Sequence, residues 1–118
     1  MSSLAVERVD GVPIARVLED IDAANAAIVR QQLAEALGSD ALSLIVDLSE
    51  TRYLDSAGID MLLRLAGRLD YRRAKLILVI PDSSQLKRLA IIAGLPKAIT
   101  IHPTLPAALQ ATVKPRGR

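Results

Sequence analysis

The chain has 118 residues, a length that suffices for one hydrophobic core but not for two. Of these residues 51% are hydrophobic and 24% are charged, a composition that excludes a disordered protein. Its net charge is +2, but the last five residues carry three basic side chains, so we predict a near-neutral domain over residues 1–113 and a basic, flexible tail over residues 114–118. With no phenylalanine, no tryptophan and two tyrosines, the chain lacks an aromatic platform for stacking bases, and we expect no direct binding to nucleic acid.

The chain opens with two short β-prone runs, residues 4–9 and 12–18. Between them lies Asp10-Gly11, a dipeptide that accepts the positive φ angles of a two-residue turn. We therefore predict an antiparallel β-hairpin at the start of the domain.

A helix and a buried strand follow the hairpin. Over residues 23–37, apolar side chains recur on one helical face, with Asp22 before the run as a candidate N-cap and Gly38 after it as a stop. Residues 42–48 are nearly continuous in apolar character, which is typical of a central strand covered on both faces.

The next helix, predicted over residues 57–71, is strongly amphipathic. We predict that five of its side chains, spaced at helical intervals, face the core. They are Ile59, Leu62, Leu63, Ala66 and Leu69. Met61 and Leu65 fall on one flank of this stripe, where two interpretations remain open. Either the last helix or a loop covers them, or they stay partly exposed and contact a partner protein.

After this helix, predicted strands and helices continue to alternate along the chain. A buried strand is predicted over residues 75–80, a helix that stops at Gly94 over 84–93, a short strand over 98–102 and a last helix over 104–113. Because strands alternate with helices after the hairpin, we predict an α/β fold. It is a single domain with a mixed, mostly parallel sheet, an N-terminal β-hairpin and about four helices.

Several classes of catalytic and metal site lack the residues that they need. The absence of cysteine excludes disulfides, thiolate zinc sites and cysteine nucleophiles, and suits a reducing cytosol. His102 is the single histidine, so no second histidine completes a familiar metal site. No Gly-x-Ser-x-Gly elbow and no glycine-rich phosphate loop occur. We therefore expect no enzymatic activity, no metal and no cofactor.

The distribution of apolar residues also bears on the location of the protein. No run of 18 apolar residues is present, and residues 1–8 lack a charged segment followed by an apolar block. We therefore expect a cytoplasmic protein that is neither inserted in a membrane nor exported.

The junction between the central strand and the amphipathic helix carries the most informative residues. Ser56 is placed to cap or begin the helix, where free backbone N–H groups and the positive end of the helix dipole favour an anion. Gly58 is expected to leave the approach to Ser56 unobstructed. A phosphate on Ser56 would add roughly −1.5 to −2 charges, opposed by Asp55 and by Asp22. Local physics alone favours the simpler interpretation, in which Asp55 and Ser56 merely cap a helix.

A longer pattern around this junction favours a signalling role. Asp47-Leu48-Ser49, four further residues, and Leu54-Asp55-Ser56-Ala57-Gly58-Ile59 together resemble the signature of the STAS family of bacterial anti-sigma factor antagonists. The resemblance extends over residues 4–112 and includes the order of the elements, Ile21-Asp22 before the first helix, and residues 89–95.

The resemblance implies a phosphorylation cycle. Ser56 aligns with the serine that a partner kinase phosphorylates. The unphosphorylated protein would bind an anti-sigma factor, often itself the serine kinase, and free a sigma factor, until phosphorylation disrupts the complex and a serine phosphatase resets it. The residues predicted to contact the partner are Asp22, Asp55, Ser56, Ala57, Gly58, Met61 and Leu65.

The sequence departs from the family pattern in two places. Glu19 stands where many members have glycine, and Arg72-Arg73-Ala74 stands where glycine is frequent. One alternative function also remains open, because fold similarity does not distinguish it. The domain would then be a scaffold subunit of a stress-signalling assembly or a transporter, without a sigma factor as its output.

Overall fold

The computed structural model describes residues 4–112 of the chain, so the predicted basic tail lies outside the described residues. Within them the strands are β1 Leu4–Val9, β2 Val12–Val17, β3 Ser43–Asp47, β4 Lys75–Val79 and β5 Thr100–His102. The helices are α1 Ala26–Leu37, α2 Ser56–Tyr71, α3 Gln85–Ile92, α4 Leu95–Ala98 and α5 Leu105–Gln110.

The predicted hairpin is confirmed. Strands β1 and β2 pair antiparallel, with Val9 opposite Val12. The two residues between them, Asp10 and Gly11, have φ angles of 51° and 81°, as a tight turn that matches the twist of the strands requires.

The strands form one mixed sheet in the order β1-β2-β3-β4-β5. The β2/β3, β3/β4 and β4/β5 pairs are parallel, and helical connections between them bring each following strand back to the same end of the sheet. The prediction of a mixed, mostly parallel sheet in a single domain is therefore confirmed.

The side chains of the central strands alternate between two hydrophobic cores. Leu44 and Val46 belong to the larger core, whereas Ile45 points into the smaller one. Helices α1, α2, α3 and α4 supply buried residues to the larger core, and α5 covers the opposite face of the sheet through Ala108 and Leu105. This two-sided cover explains why β3 and β4 are apolar along nearly their whole length.

Helix α2 buries a different face from the predicted one. Met61 is 4% and Leu65 2% exposed, so of the two interpretations left open, the one in which they stay partly exposed to contact a partner is wrong. Of the predicted stripe, Leu62 and Leu69 are buried, whereas Ile59, Leu63 and Ala66 are half-buried at the edge of the core. The face that carries Gly58, Met61, Leu62, Leu65 and Leu69 points inward, and these positions follow the spacing of three and four residues that one helical face requires.

The described part of the chain has five helices, one more than the predicted number of about four. The additional helix, α4, has four residues and follows Gly94, whose φ of 78° ends α3 as predicted. Leu95, its first residue, is fully buried. A segment of four residues is too short to show a helical period, which is why the sequence pattern missed it.

The arginine pair after α2 also has a structural consequence. Arg73 has a φ of 61°, in the left-handed region that glycine adopts without steric cost. This explains why glycine suits this turn. Arg72 donates a hydrogen bond from Nη2 to the carbonyl oxygen of Ser39 at 3.0 Å. Within residues 4–112, no helix has both the length and the apolar character needed to cross a bilayer.

Candidate functional site

Two loops meet at the carboxyl ends of β2 and β3. The first loop, residues 18–25, leads into α1, and the second loop, residues 48–55, leads into α2. An isolated parallel bridge pairs Ile21 with Leu54. In it the Ile21 N–H donates to the Tyr53 carbonyl at 3.2 Å and the Asp55 N–H donates to the Ile21 carbonyl at 3.2 Å. The bridge fixes both loops beside the first turn of α2.

Asp55 is the N-cap of α2, as one of the interpretations from the sequence predicted. Its Oδ1 accepts a hydrogen bond from the backbone N–H of Gly58 at 3.0 Å. Its Oδ2 accepts one from the backbone N–H of Ala23, in the first loop, at 3.2 Å. One carboxylate therefore caps the helix and ties it to the neighbouring loop.

Asp20 makes the reciprocal connection, a role that its sequence context does not reveal. Its Oδ1 accepts hydrogen bonds from the backbone N–H groups of Arg52 at 2.8 Å and Tyr53 at 3.0 Å. The first loop thus satisfies two donors of the second, while Asp55 of the second loop satisfies one donor of the first. No local pattern points to this role, because the partners of Asp20 lie 32 and 33 residues further along the chain.

Asp22 shapes the first loop but does not cap α1. Its Oδ1 accepts from the backbone N–H of Ala24 at 2.9 Å, and its own N–H donates to Oδ1 of Asn25 at 2.9 Å. These bonds make a tight turn, so α1 begins at Ala26 and not at residue 23. The prediction of Asp22 as N-cap is therefore wrong. Its side chain is exposed on the loop that Asp55 contacts.

The Asp-Leu-Ser part of the signature fixes the start of the second loop through contacts of its buried aspartate. Asp47 is 5% exposed, and its Oδ1 accepts the backbone N–H of Ser49 at 2.9 Å and the Ser49 hydroxyl. Its Oδ2 lies 3.6 Å from Nε of Arg16 on the adjacent strand. Thr51, also buried, donates its hydroxyl to the Val17 carbonyl at 3.3 Å. These residues hold the loop in place.

Ser56 is the first residue of α2, and its side chain is exposed. Within residues 4–112 its hydroxyl has no hydrogen-bond partner, so it is free to react or to contact another molecule. The nearby charges are mainly acidic. Asp55 precedes Ser56, and Asp60 follows one turn later, where it pairs with Arg64 at 2.7 Å.

Gly58 has a different role from the expected one. It is buried, and a Cβ at this position would lie 3.0 Å from the carbonyl oxygen of Ile21 and 3.3 Å from its side chain. Its N–H is already bonded to Asp55. The expectation that Gly58 keeps the approach to Ser56 open is therefore wrong. The missing side chain instead lets α2 pack directly on the first loop, which also turns the Met61 and Leu65 face of the helix inward.

Two exposed apolar side chains, which no sequence motif marks, flank the site. Leu18 in the first loop is 49% exposed and Tyr53 in the second is 54% exposed. Ala57, next to Ser56, is half-buried against the core. The surface around Ser56 thus combines a free hydroxyl, exposed carboxylates and two apolar contacts. Across residues 4–112, no group of three or more histidine, aspartate or glutamate side chains is arranged to hold a metal ion.

Replacing Asp20 with alanine is expected to loosen the second loop, because the N–H groups of Arg52 and Tyr53 lose their shared acceptor. We expect a loss of about 1 kcal/mol in the free energy of unfolding, with faster amide hydrogen exchange at both residues. Glu50→Ala, an exposed change of the same charge in the same loop, is the control and should leave both amides protected. Unchanged exchange in Asp20→Ala would contradict the described contacts.

Comparison with known proteins identifies the family to which the sequence is similar. The family described as the STAS domain matches residues 3–108. No curated protein matches the sequence.

Several solved structures share the fold. An anti-sigma factor antagonist from Mycobacterium paratuberculosis is 28% identical, with a TM-score of 0.81 and 92% of each chain covered. A putative anti-sigma factor antagonist from Thermotoga maritima is 18% identical, with a TM-score of 0.80, over 91% of this chain and 92% of that chain. The murine anion transporter Slc26a9 is 22% identical over 88% of this chain but only 18% of its own, with a TM-score of 0.76. The family match over nearly the whole sequence, together with these likenesses in fold, shows that the chain belongs to the STAS domain family.

Proposed function

We propose that this STAS domain is an anti-sigma factor antagonist controlled by phosphorylation of Ser56. Its unphosphorylated form binds a cytoplasmic anti-sigma factor that is also a serine kinase, and this binding frees a sigma factor. The observation that carries the proposal is the exposed, unbonded hydroxyl of Ser56 at the start of α2, inside the motif of the family. The 28% identical antagonist from Mycobacterium paratuberculosis supports the same output.

The domain acts in this cycle as a binding module and as a substrate, not as a catalyst. The kinase transfers the terminal phosphoryl group of ATP to Oγ of Ser56, and the hydroxyl proton and ADP are released. A serine phosphatase hydrolyses the phosphoester and returns the free hydroxyl. Neither step requires a catalytic group from this chain.

The surroundings of Ser56 allow phosphorylation without loss of the fold. Ser56 is exposed and is the first residue of a helix, where the dipole stabilises an anion by about 0.3–1 kcal/mol. Asp55 continues to cap the helix through Gly58. Phosphorylation is therefore expected to change the charge of the surface and to leave the fold intact.

That change in charge opposes binding. A phosphate adds roughly −1.5 to −2 charges to a surface that already carries Asp22, Asp55 and Asp60. A partner that covers Leu18, Tyr53 and Ser56 would have to remove water from this charge or place its own anions beside it. We expect this desolvation and this repulsion to lower the stability of the complex but not that of the free domain.

The proposal is tested by incubating the protein with candidate serine kinases of the anti-sigma type and ATP, and mapping the product by mass. We expect one phosphate, on Ser56. Ser56→Ala should remain unlabelled and melt at the same temperature as the wild type. Ser49, whose hydroxyl is bonded to Asp47, and Ser84, the N-cap of α3, should not accept the phosphate. Labelling of Ser49, Ser83 or Ser84 in place of Ser56 would contradict the proposed site.

A further inference from the structure

A second charged surface lies between helices α1 and α2, away from the loops around Ser56. The cleft there has a volume of about 690 Å³ and is lined by Arg30 of α1 and by Arg64, Gly67, Arg68 and Tyr71 of α2. We refer to these five residues as the arginine groove. Arg64 of the groove pairs with Asp60, but no groove residue contributes to the hydrogen bonds that join the two loops beside Ser56.

The arginines of the groove are only partly neutralised. Arg64 pairs with Asp60, but within residues 4–112 neither Arg30 nor Arg68 has an ion pair or a hydrogen bond from its side chain. Two guanidinium groups from different helices thus line one cleft without a carboxylate between them. Tyr71, at the end of the groove, is 92% exposed.

Gly67 gives the groove its open centre. A glycine inside a helix costs about 1 kcal/mol relative to alanine, and it is usually explained by close packing. Here a Cβ on Gly67 would meet no atom within 4 Å, in contrast to Gly58 in the same helix. Packing within the domain therefore does not require glycine at this position, and a side chain placed there would enter the open space of the groove.

The geometry points to an acidic helix of a partner protein as the occupant. Arg64 and Arg68 are four residues apart, about 6 Å along the helix axis, and glutamates four residues apart on a facing helix have the same spacing. Guanidinium groups bind carboxylates through paired hydrogen bonds. We propose that the arginine groove is a docking surface for an acidic helical segment of a protein partner, distinct from the two joined loops beside Ser56.

Other anionic partners fit this surface less well. Nucleic acid binds through many phosphate contacts along a continuous basic face, but here Asp60 and Asp70 lie on the same helix as the arginines. A membrane surface would require several apolar side chains beside the cations, and the groove offers only Tyr71. Both remain as outcomes of the test.

The test uses the full chain and a labelled, alanine-rich helical peptide with glutamate at every fourth position, with binding followed by fluorescence anisotropy at low salt. Gly67→Glu and Gly67→Lys form a matched pair. Both replace glycine with a good helix former and both side chains enter open space, but one places an anion and the other a cation in the groove. We expect Gly67→Glu to weaken binding of the peptide at least five-fold and Gly67→Lys to preserve or strengthen it.

A second matched pair separates the groove from general electrostatics. Arg68→Glu should weaken binding about as much as Gly67→Glu, whereas Arg88→Glu, the same change at an exposed position on α3, should have little effect. The proposal is overturned if the two Gly67 variants bind alike, or if Arg68→Glu and Arg88→Glu do. It is also overturned if the groove binds a DNA duplex, phosphatidylserine vesicles or a second copy of the chain in preference to the acidic peptide.

Discussion

Replacing Leu65 with alanine is expected to lower the free energy of unfolding by about 2–5 kcal/mol, the range for large-to-small changes in a close-packed core. Leu65 is 2% exposed and belongs to the larger core together with Met61 and Leu62. The loss should appear as a lower midpoint in urea without a change in slope. Because Leu65 faces the core, any loss of partner binding in this variant would follow from the loss of folding.

The matched control for this prediction is Ile92→Ala. Ile92 is 75% exposed on α3, so its truncation should change the stability by no more than about 0.5 kcal/mol. If Leu65→Ala unfolds at the same urea concentration as the wild type, the described orientation of α2 is incorrect.

Replacing Ser56 with aspartate is expected to weaken binding to the anti-sigma partner at least ten-fold, equivalent to about 1.4 kcal/mol. The new carboxylate lies beside Asp55 and one turn before Asp60, so it adds a fourth acidic group to the surface that carries Asp22, Asp55 and Asp60. Titration calorimetry measures the effect. The stability of the free domain should change little, because an acidic side chain at the first position of a helix is compatible with the dipole.

Ser83→Asp is the control for added charge. Ser83 is exposed in the loop before α3, which follows β4 at the same end of the sheet, so the substitution adds the same charge near the site without touching the two joined loops. It should bind the partner like the wild type. Equal weakening by both variants would mean that net charge, and not the position of Ser56, governs the affinity.

Contiguous patterns allowed most of the fold to be predicted from the sequence. The Asp10-Gly11 turn and the stops at Gly38 and Gly94 depend on backbone angles that few residue types adopt, so a dipeptide or a single glycine was enough to mark them. The rotation of α2 was not predictable in the same way. It depends on the contact between Gly58 and Ile21, which are far apart in the sequence, and most positions of α2 are apolar enough to suit more than one inward face.

The same distinction, between local sequence patterns and contacts of residues far apart in the chain, applies to the site. Asp55 and Ser56 are adjacent in the chain and belong to a recognisable motif, so their positions at the start of α2 could be predicted. Asp20 could not, because its two acceptor contacts join loops that only the parallel pairing of β2 and β3 brings together. Met61 shows the converse error. Its residue type suits a binding surface, but its neighbours in space place it in the core.

The most direct test of the proposed switch is to measure the dissociation constant of one anti-sigma partner for the unphosphorylated protein, for the protein phosphorylated on Ser56, and for the same sample after a serine phosphatase has removed the phosphate. We predict tight binding, then a loss of at least ten-fold, then full recovery. Equal dissociation constants for the three samples would contradict the switch and would favour a scaffold that holds its partners regardless of the charge on Ser56.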